Sequence, residues 1–383
     1  MRTAILILIC AAFLFGCNEK SKLFNLDSLP TASGGHVTGD TSYIQLKPVW
    51  NGFDKPGAIK IGFDYILYVT EPDSNRIQMV DLAGNRLGHS RYVKHPIGIA
   101  EDRRFNLIIA CEYDTVIGTQ IVTVAAIAKI RLFEYQHVIS DAPVEIVAHE
   151  SPRNQIVRDA SGGLISGRIY TGVAVLPDNS YYVTRYGNDN SSPVDPDNKV
   201  LHFDRNDDEY SSDYIDLVPN LTAGGGTGFV VINQVSSITT FNTKQYGSDF
   251  IITQVDPQSS YKVKWFSFDP GNELRAPEWQ SRLSLDPSTY ASDQLPAILT
   301  NIFVSPMAVM VDDRSNIYVV DSRLDSLMKF DQNGNLSHES FGPVKAPGEL
   351  LQPSGLTYYN KIVYISDTGH DRILRYELST DFR

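Results

Sequence analysis

A β pattern that returns six times decides what this chain can fold into. From residue 50 onward, each copy opens with Pro or a small polar residue before a short apolar strand. It turns through Asp, Asn or Gly into a second strand rich in Tyr, Val and Ile, then adds a third after a polar turn. The last two copies are the clearest, at 306–312, 316–321 and 326–331, then at 353–357, 362–367 and 372–376. Earlier copies lie at 56–59, 65–71 and 75–81; at 96–100, 107–112 and within 121–132; and at 171–175, 180–185 and 200–204. The fourth, at 236–239, 249–253 and 263–266, is degenerate. A meander of this size cannot bury both faces alone, so the copies must stack around an axis. The 20 Tyr and 17 Phe suit strands, and 27 Gly with 20 Pro supply turns.

The expected fold is therefore all-β, a propeller of six four-stranded blades over residues 42–383. Two intervals between copies, 40 and 47 residues, match one blade. The three longer ones hold a blade plus an insertion of about 25 residues. A seventh blade would need a hidden copy between 267 and 305. The last copy ends near Tyr376 without an outermost strand, whereas 42–49 alternates like one. Pairing of that N-terminal strand with the last blade is expected to close the ring and remove an open edge.

These residues resemble the NHL repeat, whose copies run Pro-x-Gly-Ile-Ala, then Ile-Tyr-Val-Ala-Asp, then Asn-x-Arg-Ile. Asp367-Thr368-Gly369-His370-Asp371-Arg372-Ile373 is a near-verbatim example. The resemblance covers roughly 50–380, strongly in the first and last two copies and weakly around 205–300. It implies a propeller with one four-stranded blade per copy.

The first residues read as an export signal. Met1-Arg2 is a short basic region, and 4–15 is apolar but too short to span a bilayer. Leu14-Phe15-Gly16-Cys17 resembles the lipobox of bacterial lipoproteins, although Phe15 is bulkier than usual there. That resemblance implies a signal peptide at 1–16 and a lipid on Cys17, anchored by roughly 0.8 kcal/mol per buried CH₂. The polar stretch at 17–41, with Ser33-Gly34-Gly35, reads as a flexible tether. Asn18 is not the aspartate that favours inner-membrane retention, so the outer membrane of a Gram-negative envelope is expected.

The net charge of −12 repels phosphate backbones, which argues against nucleic acid as a partner. Only Cys111 remains in the folded body, so no intrachain disulfide is available there, and its apolar neighbours read as a buried strand.

Candidate site residues come from the repeat. The second strands end in Glu71, Glu112, Arg185, Asp321 and Asp367, at one mouth of the ring. In NHL repeats the acidic residue ties neighbouring strands through backbone amides. Arg185 breaks the acidic pattern, and a mixed-charge ring suits a polar ligand. Asp189, Asp195 and Asp197 share one oxygen-rich loop, the arrangement that ligates Ca²⁺, although their spacing fits no EF-hand. His95 precedes a channel-lining strand, where amidating lyases of NHL-like fold bind zinc. His370 reads as a turn residue.

No nucleophile elbow, His-Glu-x-x-His or Cys-x-x-Cys is present. Gly224-Gly225-Gly226-Thr227-Gly228 lacks the Lys-Ser/Thr ending of a phosphate loop. Insertions near 134–168, 186–198, 219–235 and 276–302 are the long loops that often carry function, with a short helix expected around 293–299.

The leading expectation is a membrane-tethered, non-enzymatic binding or scaffolding propeller for an envelope protein, peptide or glycan, without a cofactor. Aromatics in the insertions, Trp279, Tyr290 and Tyr186, are its expected contacts. The rival is a lactonase- or lyase-like enzyme with calcium or zinc in the central channel, supported by fold analogy.

Overall fold

A computed structural model describes residues 41–151, 156–158, 162–190, 195–209, 232–241, 247–259, 261–269, 271–273, 278–284, 287–291, 295–342 and 349–381. The signal, Cys17 and the tether to residue 40 lie outside the described residues, as do the Gly224–Gly228 run and most of the 219–235 insertion. Residues Thr41–Arg383 form one compact unit.

Among the described residues there are six β-sheets, and they follow the six copies in order. Blade 1 is β3 (Ile59–Ile61), β4 (Leu67–Glu71), β5 (Arg76–Val80) and β6 (Arg86–His89). Blade 2 is β7 (Gly98–Glu101), β8 (Asn106–Ile117), β9 (Gln120–Arg131) and β10 (Glu145–His149). Blade 3 is β13 (Ile169–Val175), β14 (Tyr181–Tyr186) and β15 (Lys199–Phe203). Blade 4 is β16 (Val235–Thr240), β17 (Phe250–Gln254), β18 (Val263–Asp269) and β19 (Glu278–Ser281). Blade 5 is β20 (Pro306–Val311), β21 (Ile317–Asp321) and β22 (Ser326–Phe330). Blade 6 is β23 (Gly355–Tyr359), β24 (Ile362–Asp367) and β25 (Arg372–Leu378). On the outer side of blade 6, β1 (Tyr43–Gln45) and β2 (Trp50–Asn51) pair antiparallel with β25, Tyr43 opposite Leu378 and Trp50 opposite Ile373.

Two long insertions contribute strands to the blades. The 134–168 segment supplies β10 and a hairpin, β11 (Ile156–Arg158) with β12 (Leu164–Ser166), whose second strand runs parallel to the far end of β9. The 276–302 segment supplies β19. Of the short helix expected around 293–299, residues 293 and 294 lie outside the described residues, and Ala297–Leu299 form a 3-10 helix of one turn.

The turns between strands use a repeated device. Asp81, Asp102, Asp312 and Asp331 each accept backbone N–H bonds from residues two and four further on. The other carboxylate oxygen takes the amide of Asn85, Asn106, Asn316 or Asn335. A short acceptor side chain thus satisfies the tight turn locally, before any blade meets another.

The core is divided into six apolar clusters, one between each adjacent pair of blades, the sixth joining blade 6 to blade 1. Successive side chains of a strand point to opposite faces, and here each face meets a blade. On β21, Ile317 and Val319 pack toward blade 4, whereas Tyr318 and Val320 pack toward blade 6. This is why the second strands are apolar runs rather than alternating ones. Burial also pushes the Cys111 thiol up to about 12, leaving it inert at neutral pH.

Small residues open the inner strands because the blades crowd at the axis. A Cβ on Gly98 would stand 2.9 Å from the Gly172 Cα, and one on Gly355 2.2 Å from the Gly57 carbonyl oxygen. The glycine in the repeated Pro-x-Gly opening is therefore a packing requirement.

Candidate functional site

Each blade contributes its first strand to the wall of a central channel, so β3, β7, β13, β16, β20 and β23 enclose a cavity of about 930 Å³. The wall is mainly aliphatic and hydroxylic, with Thr171, Ser237, Thr239, Val309 and Thr357 among its residues. Across these six strands only two residues are charged, Lys60 on β3 and Glu101 on β7, in neighbouring blades.

Glu101 is 1% exposed. Its Oε2 accepts the Phe63 N–H, and its Oε1 has no hydrogen-bond partner. Burial, then the charge of Asp64, pushes its carboxyl up to about 8, so at neutral pH it is mostly uncharged. Asp64 accepts the Tyr68 hydroxyl and lies 3.5 Å from His137 Nδ1. Burial lowers the ammonium of Lys60, with Glu101 opposing. Among the described residues the Lys60 ammonium makes no hydrogen bond or ion pair.

The channel mouth at the C-terminal ends of β3, β7, β20 and β23 is aromatic. Phe63 and Tyr65 are 39% and 58% exposed, and Tyr358, Tyr359 and Asn360 complete this rim. Tyr65 meets Tyr359 with ring centroids 5.3 Å apart, and the Arg103 guanidinium lies 5.0 Å over the Phe63 ring. Aromatic faces beside polar groups can hold a ligand by stacking and hydrogen bonding together.

The side chains singled out by the repeat lie elsewhere, at the ends of the second strands. Glu71 accepts the Asp54 N–H and pairs with Arg76. Asp321 accepts the N–H groups of Val304, Ser305, Arg323 and Leu324. Asp367 accepts the Leu351 N–H and bonds to His370 and Arg372. Gln254 fills the corresponding place in blade 4, accepting the Asn233 N–H and donating to Ser259 and the Tyr261 carbonyl. Glu112 differs, being 3.1 Å from His95 Nδ1 beside the opposite mouth, and this contact raises the His95 imidazole.

Arg185 and the proposed calcium ligands come together around a second arginine. Arg185 Nη1 donates to Glu150 at 2.8 Å and its Nη2 to Asp195 at 2.5 Å. Arg168 donates to Asp197 at 2.7 Å, Asp195 at 2.7 Å and Glu150 at 3.3 Å. Asp197 also accepts the Asp189 N–H. Guanidinium groups thus stand against the carboxylates of Asp195 and Asp197, two of the three expected to face calcium. No group of three or more His, Cys, Asp or Glu able to hold a metal occurs among the described residues.

The insertion aromatics, expected as exposed contacts, are half-buried. Trp279 packs against Tyr182, Phe250 and Phe268, and Tyr290 packs against the cluster between blades 4 and 5. Tyr186 is half-buried, its hydroxyl donating to Asn188. The apolar area of Trp279 and Tyr290 belongs to blade packing.

Lys60, Glu101 and the aromatic rim are absent from the site read in the sequence. A position-by-position comparison of the copies carries the signal, because no other inner strand bears a charge.

No family model matches the chain, and no curated protein matches it. Solved structures do. The PQQ-bound aldose sugar dehydrogenase of Streptomyces coelicolor is similar at a TM-score of 0.53 and 14% identity, over 89% of this chain and 99% of that one. A gluconolactonase from Xanthomonas campestris is similar at 0.51 and 14%, over 89% and 90%. The calcium-binding protein regucalcin from Agrobacterium tumefaciens is similar at 0.50 and 9%, over 88% and 95%. At these identities the likeness is one of fold: a six-bladed propeller.

Proposed function

We propose that this protein is a binding propeller of the bacterial cell envelope, held by a lipid on Cys17, that takes the end of a peptide or glycan into its channel mouth. The observation carrying this reading is the aromatic rim of Phe63, Tyr65, Tyr358 and Tyr359 over a roomy channel. Exposed Tyr65, with half-buried Tyr358 and Tyr359 held by blade packing, contributes contact area at little entropic cost. The test is retention of peptide and glycan fragments, prepared from the native envelope, on the immobilised domain. Combining Tyr65→Ala with Tyr359→Ala is expected to abolish at least nine-tenths of the retained material. Equal retention by the double variant would remove the mouth as the binding surface.

The anchor rests on the Leu14–Cys17 motif and the polar segment after it. Cys17→Ser is expected to move the expressed protein from the detergent phase to the aqueous phase in a Triton X-114 partition. A variant that still partitions with detergent would refute lipidation at Cys17.

A second reading, an enzyme working in the same channel, draws on the gluconolactonase and dehydrogenase that share the fold. In this chain it would use Lys60 and Glu101. Turnover of a lactone or aldose that is lost in Glu101→Gln, with the rim intact, would favour it over binding alone.

A further inference from the structure

We propose that Lys60 is the receptor for a carboxylate carried by the ligand, with Glu101 beside it keeping the channel selective for that group. This rests on the binding reading above and names the chemistry of what enters.

Four observations carry it. Lys60 is the only cation on the six inner strands. It lines the cavity rather than the outer surface. Its ammonium has no hydrogen-bonding or ion-pairing partner among the described residues, unlike that of Lys55 at the opposite mouth, which pairs with Asp371. The first strands around it are otherwise aliphatic and hydroxylic, with Arg103 and Asp313 farther out along the lining, so the attraction for an arriving anion is stronger than it would be in bulk water.

Glu101 sets the condition. The titratable and charged groups facing it are Lys60 on β3, Asp64 in the following turn, Tyr68 on β4 and its own neighbour Asp102. His137 faces Asp64 in turn. With its carboxyl pushed up to about 8, Glu101 is protonated at neutral pH and leaves Lys60 uncompensated. As pH rises through 8, Glu101 ionises and opposes an incoming anion. The lowered ammonium of Lys60 works in the same direction.

A carboxylate can come from a peptide C-terminus or an acidic sugar, and two paired arms distinguish them. Titration calorimetry on the soluble domain would compare trialanine with its C-terminal amide, and digalacturonate with digalactose. The acid is expected to bind at least tenfold tighter than its neutral counterpart in one pair, and the pair that shows it identifies the source. That preference is expected to fall between pH 7 and 9. Lys60→Met, checked for folding by its melting curve, is expected to bind acid and neutral forms alike. No acid preference in either pair by the wild-type protein would overturn the proposal, a result needing no variant. So would an undiminished preference in folded Lys60→Met. In either event the binding reading stands or falls separately, on whether envelope fragments are retained through Tyr65 and Tyr359.

Discussion

Arg168→Ala is expected to cost about 3–5 kcal/mol of stability, because it breaks a buried ion network from one side only. Arg168 is 4% exposed and bonds to three carboxylates, of which Asp197 is fully buried and Glu150 is 6% exposed. Without Arg168, Arg185 still holds Glu150 through Nη1 and Asp195 through Nη2, but the buried Asp197 carboxylate loses its guanidinium partner. Stranding a buried carboxylate costs far more than losing a surface ion pair. The check is a thermal or urea melt of the soluble domain. At roughly 2 °C per kcal/mol for a domain this large, the melting temperature should fall by about 6–10 °C. A shift within 1–2 °C, roughly the cost of a surface pair, would mean the network contributes little.

The second large effect is expected at Trp50. Its side chain is 4% exposed where β2 lies against β25, in the cluster between the last and first blades. The ring meets Tyr364 at 5.9 Å, and the Arg375 guanidinium lies 4.4 Å over it. Gly84 is held close below, since a Cβ there would come within 2.3 Å of the indole Nε1. Trp50→Ala would leave a cavity in that wall and lose the cation–π contact, a loss of about 3–5 kcal/mol. The same melts would read it. If Trp50→Ala melts like the parent, the pairing of the N-terminal strands with blade 6 contributes little to stability, and the seam is held by blade packing alone.

Both effects bear on how much of the molecule could be read in advance. Blade strands such as Ile317–Asp321 and Ile362–Asp367 announce themselves because both faces are covered and the run is apolar throughout. The outer strands are harder. Arg86–His89 is mostly exposed, and Glu145–His149 sits within a stretch that reads as a loop insertion. An edge strand facing solvent carries a weak hydrophobic signal.

The candidate site was less legible than the fold. Arg185 stood out as the exception at the end of a second strand, yet its partner Arg168 precedes β13 and its carboxylates come from the 150 and 195 regions. Nothing in the local spacing joins these segments. Lys60 and Glu101 each sit alone in an apolar strand, and nothing in the local pattern ties one to the other.

The sequence by itself determined the repeat, the turn chemistry and hence the six-bladed architecture, because these depend on contacts within a blade, between residues a few positions apart. Only the tertiary structure decided which side chains share a space. The first strands meet at the axis only after six blades stack, and that brings Lys60 beside Glu101 and Tyr65 against Tyr359, nearly 300 residues later in the chain. The site is assembled between blades, from residues whose proximity no local pattern encodes.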